Sequence, residues 1–194
     1  LEQRTAPTPE QTAQLTGWLQ RLRATGGAAD SAEFEAGILQ MAGQDEQAMA
    51  TYRRALAAHP GHSDNYLLLA DLLKKRGRES EAIDTLQYLV ETAAQDDAFI
   101  VGIDGLLNLN PQDARVLRWA QRRVLERLAG RDDKPYLYEL LGELAAITGE
   151  TELYFSALEN GLAHAGARRS TVLRELIAAT APDSSRNRVG QPGV

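Results

Sequence analysis

The most constraining feature of this 194-residue chain is a pattern that returns after 34 residues. Residues of similar size occupy equivalent positions in two successive stretches, at Ala36 and Ala70, Leu39 and Leu73, Gly43 and Gly77, Ala48 and Ala82, Tyr52 and Leu86, and Ala55 and Leu89. A fixed period of this length is typical of a solenoid of stacked helix pairs. Such a fold presents a surface and contains no catalytic chemistry of its own, so the period predicts a binding scaffold.

Each repeat is predicted to contain two helices separated by a glycine. Apolar residues follow helical spacing, and no segment shows sustained alternation with a period of two, so no sheet is predicted. Gly43 and Gly77 are expected just past the first helix of each pair, where a positive φ is needed. Pro60 prevents the second helix of the first pair from continuing. The sequence therefore predicts antiparallel helices joined by short loops.

The repeated residues also carry a family resemblance. The second copy contains Tyr66, Leu69, Ala70, Leu73, Gly77, Ala82, Leu86 and Leu89, and the first contains Ala32, Glu35, Ala36, Leu39, Gly43, Ala48, Tyr52, Ala55 and Pro60. This pattern resembles the tetratricopeptide (TPR) repeats of bacterial proteins and is most specific over residues 29–96. The resemblance implies an all-α fold, a TPR-like right-handed superhelix of stacked antiparallel helix pairs. Residues 7–60 are also similar to the periplasmic TPR segments of bacterial cytochrome c biogenesis proteins.

The repeat pattern divides the chain into segments of different regularity. Residues 1–7 are predicted to be a disordered lead-in, residues 8–180 a helical repeat domain, and residues 181–194 a disordered tail. Within the domain we expect clear repeats at 29–62 and 63–96, degenerate units at 97–130 and 135–167, and a capping helix at 169–180. A new helix is expected to begin at Asn110-Pro111-Gln112-Asp113. The pattern returns, after a shift of four residues, at Tyr138, Leu141, Gly142 and Gly149, and Tyr154 then stands where the family has alanine.

Charge and composition exclude several classes of function. Residues 1–110 carry 9 Lys and Arg against 16 Asp and Glu, whereas residues 111–194 carry 12 against 11. An acidic front half disfavours nucleic acid as a partner there, because phosphate contacts need clustered positive charge. No run of about 18 apolar residues is present, so a soluble protein without a membrane span is expected. The compartment, bacterial cytoplasm or periplasm, is left open.

The TPR resemblance assigns a concave groove to the first helix of each pair. We therefore expect another protein, as an extended peptide or a partner helix, to bind there. The predicted groove residues are Glu33, Gln40, Met41, Leu67, Asp71, Lys74, Lys75, Val101, Asn108, Leu109, Glu139 and Glu143, and the same face includes Gly37 and Gly105. Lys74 and Lys75 also leave open a clamp for a C-terminal carboxylate.

A second candidate surface is an arginine-rich helix. Arg115, Arg118 and Arg122 form one stripe at helical spacing, and Arg123 and Arg127 form another. This alternative basic face could bind an acidic partner or the phosphates of a nucleic acid, but a solvated helix face whose arginines pair with neighbouring acidic side chains is the favoured interpretation. A further alternative is self-association through edge helices, with Trp18 or the last helix at the contact.

The sequence gives no support for an enzyme or for a cofactor. It contains no Cys, no Gly-rich phosphate loop and no nucleophile motif. His59 and His62 flank a Pro-Gly loop, and this spacing without a Cys is a poor zinc site. We therefore expect no catalytic residues, no metal and no cofactor.

Overall fold

The computed structural model describes residues 7–24, 32–131 and 134–164. These residues form nine α-helices and no strand, so the predicted all-α repeat fold is confirmed. Most of the predicted lead-in and all of the predicted tail and capping helix 169–180 lie outside the described residues. The helices are α1 Pro9–Ala24, α2 Ala32–Met41, α3 Asp45–Ala58, α4 Ser63–Lys75, α5 Glu79–Thr92, α6 Asp96–Leu109, α7 Ala114–Leu128, α8 Pro135–Thr148 and α9 Thr151–His164.

Contacts group the chain into two compact units, Leu1–Pro111 and Gln112–Val194. Helices α1 to α6 belong to the first unit, and α7 to α9 belong to the second. The boundary falls inside the segment 97–130, for which the repeat pattern predicts one helix pair.

Residues one step of 34 apart lie in equivalent surroundings in the first unit. Every residue of the six pairs that define the period, apart from the glycines, is buried. Gly43 and Gly77 both have φ of 73°. The turns after them are also alike, because Gln44 N–H donates to Leu39 O at 2.8 Å and Arg78 N–H donates to Leu73 O at 2.9 Å. The predicted glycine ends of both helices are therefore confirmed, and their geometry is a helix-ending turn with a left-handed residue.

The same step is repeated in side-chain contacts between successive helix pairs. Arg76, which caps the C-terminus of α4, pairs with Asp45, the first residue of α3. Asn110 caps α6 in the same way and donates from Nδ2 to Oε1 of Glu79, the first residue of α5, at 2.9 Å. Each contact is worth at most about 1 kcal/mol at the surface. Together they fix which residues of neighbouring pairs face each other.

The first helix, α1, begins as the sequence predicts. Thr8 N–H donates to Gln11 Oε1 at 2.8 Å, and Gln11 N–H donates to Thr8 Oγ1 at 3.2 Å, which is a reciprocal capping box. Near its other end, Arg23 donates to the buried carboxylate of Glu35 on α2 at 2.7 Å. Arg54 of α3 reaches the second oxygen of that carboxylate at 3.3 Å. Glu35 therefore links three helices.

The predicted start of a helix at Asn110 is wrong. Asn110 caps the C-terminus of α6, and α7 begins at Ala114 with Asp113 as its N-cap. The Asp113 carboxylate accepts the backbone N–H of Arg115 at 2.8 Å, and this hydrogen bond lowers the pKa of Asp113 below its ordinary value. The carboxylate thus satisfies a helix-end donor, and Asn110 instead bonds across to the preceding pair.

The second unit returns to the repeat geometry at Gly149. This residue ends α8 with φ of 76°, and Glu150 N–H donates to Ala145 O at 2.9 Å, as in the two earlier turns. Tyr154 occupies an alanine position on α9, and Gly142 stands opposite on α8. A Cβ at Gly142 would lie 3.9 Å from the Tyr154 ring. This distance is an ordinary van der Waals contact, so α8 and α9 approach closely here with the tyrosine in place.

Candidate partner-binding site

In the first unit the predicted groove residues come from α2, α4 and α6, the first helices of successive pairs. The period of 34 aligns them in four rows. These rows are Glu33, Leu67 and Val101; Gly37, Asp71 and Gly105; Gln40, Lys74 and Asn108; and Met41, Lys75 and Leu109. Each row therefore contains one residue from each of the three helices.

An open cleft of about 210 Å³ lies on this face beside α4 and α6. Helix α5 contributes Leu86 to its lining. The remaining lining residues are Leu67, Ala70, Asp71 and Lys74 of α4 and Gly105, Asn108 and Leu109 of α6. The structure thus brings five of the predicted groove residues, Leu67, Asp71, Lys74, Asn108 and Leu109, around one cavity.

The charged groups at the rim of the cleft are already engaged within the chain. Lys74 Nζ donates to the carbonyl oxygen of Leu109 at 2.5 Å, at the C-terminal end of α6, where the helix dipole favours a cation. Lys75 pairs with Asp71 one turn away, also at 2.5 Å. Lys74 therefore joins α4 to α6, and the charge of Asp71 is balanced by its neighbour.

Tyr52 of α3, the second helix of its pair, directs its hydroxyl towards the groove residue Gln40 of α2. Gln40 Nε2 donates to it at 3.4 Å. Burial raises the pKa of Tyr52 above its ordinary 10.0, and the carboxylates of Glu33 and, more weakly, Asp71 raise it further, while the hydrogen bond from Gln40 opposes this shift. The hydroxyl thus lies in the field of carboxylates from both α2 and α4, so these helices present their acidic side chains on a common side.

This arrangement predicts the ionisation behaviour of Tyr52. Because the folded state holds the phenolic proton more tightly than the unfolded chain does, the free energy of unfolding should fall as pH rises above 10.0, and Tyr52→Phe should reduce that fall.

The change Glu33→Gln should lower the pKa of Tyr52. A ¹³C NMR titration of the tyrosine Cζ atoms measures this pKa, with Glu143→Gln in the second unit as control. An unchanged pKa in Glu33→Gln would show that Glu33 does not face the hydroxyl.

The other predicted groove residues differ in their exposure to solvent. Met41 is 47% exposed, Val101 is half-buried, and Leu109 is only 7% exposed. Leu109 therefore lines the cleft with little accessible surface, and its carbonyl oxygen accepts the hydrogen bond from Lys74. Glu139 is half-buried and Glu143 is exposed on α8, in the second unit.

The alternative basic face lies on α7. Arg115 pairs with Asp113 at 3.5 Å, and Arg123 pairs with Glu126 at 2.9 Å and lies 5.3 Å from the centre of the Trp119 ring. Arg118 and Arg122 are exposed, and Arg127 is half-buried. These two ion pairs join residues within or next to the same helix, so part of the positive charge is balanced locally.

Within the described ranges, no three His, Asp or Glu side chains are grouped so that they could hold a metal ion. No helix in the same part of the chain combines the length and the apolar character needed to cross a bilayer.

The sequence pattern does not indicate three residues of this site as functional. Tyr52, Ala70 and Leu86 have the spacing of core residues. The first repeat has Tyr52 where the second has Leu86. This difference is the one sequence signal that could have revealed the hydroxyl, because a phenol at a core position needs a hydrogen-bond partner.

Stacked helix pairs with an open cleft on their first helices define a helical-repeat protein. Residues 39–99 match the family described as "Tetratricopeptide repeat", so this segment, which contains α3, α4 and α5, consists of such repeats. The resemblance seen in the sequence is confirmed there. Repeats of this family generally mediate protein–protein interaction and typically act as scaffolds rather than as enzymes.

Comparison with curated protein sequences found no match. Among solved structures, the chain is similar to one titled "Crystal structure of MamA protein", with 17% sequence identity and a TM-score of 0.44. The likeness covers 72% of this chain and 74% of that chain. A TM-score of this size is too low to support a conclusion about the present protein.

Proposed function

We propose that the first unit binds a segment of another protein, as an extended peptide or a helix, across the face formed by α2, α4 and α6. The observation that carries this proposal is the cleft beside α4 and α6, because five groove residues line it. Grooves that accept a peptide offer apolar contact for side chains and polar groups for the backbone.

The polar groups on this face suit a peptide backbone. Asn108 is exposed at the rim of the cleft and Gln40 is partly exposed beside Tyr52, so each can present an amide that both donates and accepts hydrogen bonds. An extended segment carries unpaired N–H and C=O groups that need such partners when they leave water. Leu67 and Met41 supply accessible apolar surface between these amides.

A peptide-display selection against the whole chain tests this proposal. Affinities of the selected peptides should fall at least about tenfold, or about 1.4 kcal/mol, in the variant Asp71→Arg, measured by fluorescence anisotropy. The matched control is Asp84→Arg, which makes the same charge change at an exposed position of α5 that does not line the cleft. The control should bind the peptides as the unchanged chain does.

Two outcomes would contradict the proposal and indicate where to look instead. Equal affinity in both variants, with a loss in Arg118→Glu combined with Arg122→Glu and a steep dependence on salt, would move the site to the basic face. A dimer seen by light scattering and broken by Trp18→Arg, with no selected peptide, would favour self-association.

A further inference from the structure

We propose that the cleft beside Gly105 is a socket for one large apolar side chain of the bound segment, of the size of leucine or phenylalanine. This inference rests on the proposed function and specifies the chemistry of the partner: an uncharged apolar anchor residue.

The size of the cleft supports such an anchor. Its volume of about 210 Å³ exceeds the ~150 Å³ of an apolar cavity that accepts benzene. Leu67, Ala70, Leu86 and Leu109 supply the apolar part of its lining, beside Asp71, Lys74 and Asn108. A side chain of four to seven carbon atoms would therefore fit, and it would cover mainly the hydrocarbon of Leu67, because the other three apolar residues are already buried.

The charges around the cleft argue against a charged anchor. Asp71 and Lys74 both line the cleft and carry opposite charges, so a charged side chain of either sign would meet a like charge there. A charged side chain would also lose hydration on entering the cleft. The socket therefore selects for shape and apolar character.

Gly105 keeps this socket open. A Cβ at this position would lie 2.7 Å from Cδ2 of Leu67 and 3.1 Å from Cδ2 of Leu86. Leu67 lines the cleft and is only partly buried, so it can move, and an alanine at 105 would push it into the cleft. Gly102, one turn earlier, has a different role, because a Cβ there would lie 2.6 Å from Val90 in the packing of α5 against α6.

The chain supplies a matched control for a change at Gly105. Gly37 occupies the equivalent position two repeat steps earlier, and a Cβ there would meet nothing within 4 Å. Alanine is favoured over glycine inside both helices. Gly37→Ala should therefore leave the thermal midpoint unchanged or raised. Gly105→Ala should give a lower midpoint than Gly37→Ala, because its Cβ would also lie 3.1 Å from Cδ2 of the buried Leu86, and only Gly105→Ala should fill the cleft.

The test uses capped amino acids as probes. N-acetyl-leucinamide, N-acetyl-phenylalaninamide, N-acetyl-alaninamide and N-acetyl-lysinamide are titrated into the chain carrying ¹³C-labelled leucine methyl groups. The first two should shift the methyl signals of Leu67, Leu86 and Leu109, and the last two should not. These shifts should persist in Gly37→Ala and disappear in Gly105→Ala.

A second variant tests the socket while Gly105 is left unchanged. Asn108→Phe introduces a large apolar side chain at the exposed rim, where it can occupy the cleft from within the chain, and it should also abolish the shifts. Shifts that all four probes cause alike, or that survive in Gly105→Ala and Asn108→Phe, would overturn the socket.

The peptide selection separates failure of the socket from failure of the proposed function. Selected peptides that lose affinity in Asp71→Arg but share no large apolar residue would overturn only the socket. If instead the leucine and phenylalanine probes bind while no peptide depends on Asp71, the proposed function is wrong.

Discussion

Replacing Leu73 with alanine is expected to lower the free energy of unfolding by about 2–5 kcal/mol. The side chain is fully buried, and removing it leaves a cavity as well as losing apolar contact. The equivalent residue, Leu39, lies in the same surroundings, so Leu39→Ala should cost a similar amount. Urea denaturation followed by circular dichroism measures both changes.

The control for this prediction is Met41→Ala, which shortens a side chain that is already 47% exposed. Its effect should stay within about 0.5 kcal/mol, as for most surface substitutions. A cost below about 1 kcal/mol for Leu73→Ala would contradict the closed core that the structure shows.

Gly77→Ala is expected to destabilise the chain by about 1–2 kcal/mol, because an L-residue with a side chain is strained in the left-handed region. Gly77 has φ of 73°, and a Cβ there would meet nothing within 4 Å, so the cost comes from the backbone alone. Gly43→Ala should cost the same amount, since its φ is also 73°. Thermal unfolding monitored by circular dichroism gives both values.

Gly61→Ala is the comparison variant. This glycine is exposed, has no neighbour within reach of a Cβ, and is not in the left-handed region. An alanine there should be neutral or slightly stabilising, since it restricts the unfolded chain. Equal effects at Gly61 and Gly77 would show that the turn after α4 does not require its positive φ.

The regular part of the fold was predictable from the sequence because its determinants are local. Glycine at a left-handed turn, alanine at a close helix contact and leucine at core spacing each act through their immediate neighbours. Gly43, Gly77 and Ala82 were placed correctly for this reason. The same reasoning failed at Asn110, because a bond to Glu79, 31 residues earlier in the chain, accompanies its role as a C-cap.

The site was predictable only in part. The TPR resemblance assigned the groove to α2, α4 and α6, and five of the twelve predicted groove residues, all on α4 and α6, line the cleft. The resemblance did not show that Lys74 bonds to the end of α6, since this contact spans 35 residues and depends on how the two helices pack. Lys74 was predicted as a groove residue and a candidate for a carboxylate clamp, and the structure shows it tying α4 to α6. A change at Lys74 would therefore disturb the scaffold together with the site, which is why Asp71 is the better residue to test.

The contacts of Arg76 with Asp45 and of Asn110 with Glu79 also bear on how such a chain can grow. A duplicated copy of residues 63–96, placed after the original, would bring its arginine against Glu79 and its glutamate against Asn110. Both new junctions would be chemically compatible, so the first unit can be lengthened by a whole module without redesign of its edges. Internal duplication is thus a route by which this chain could lengthen its binding face.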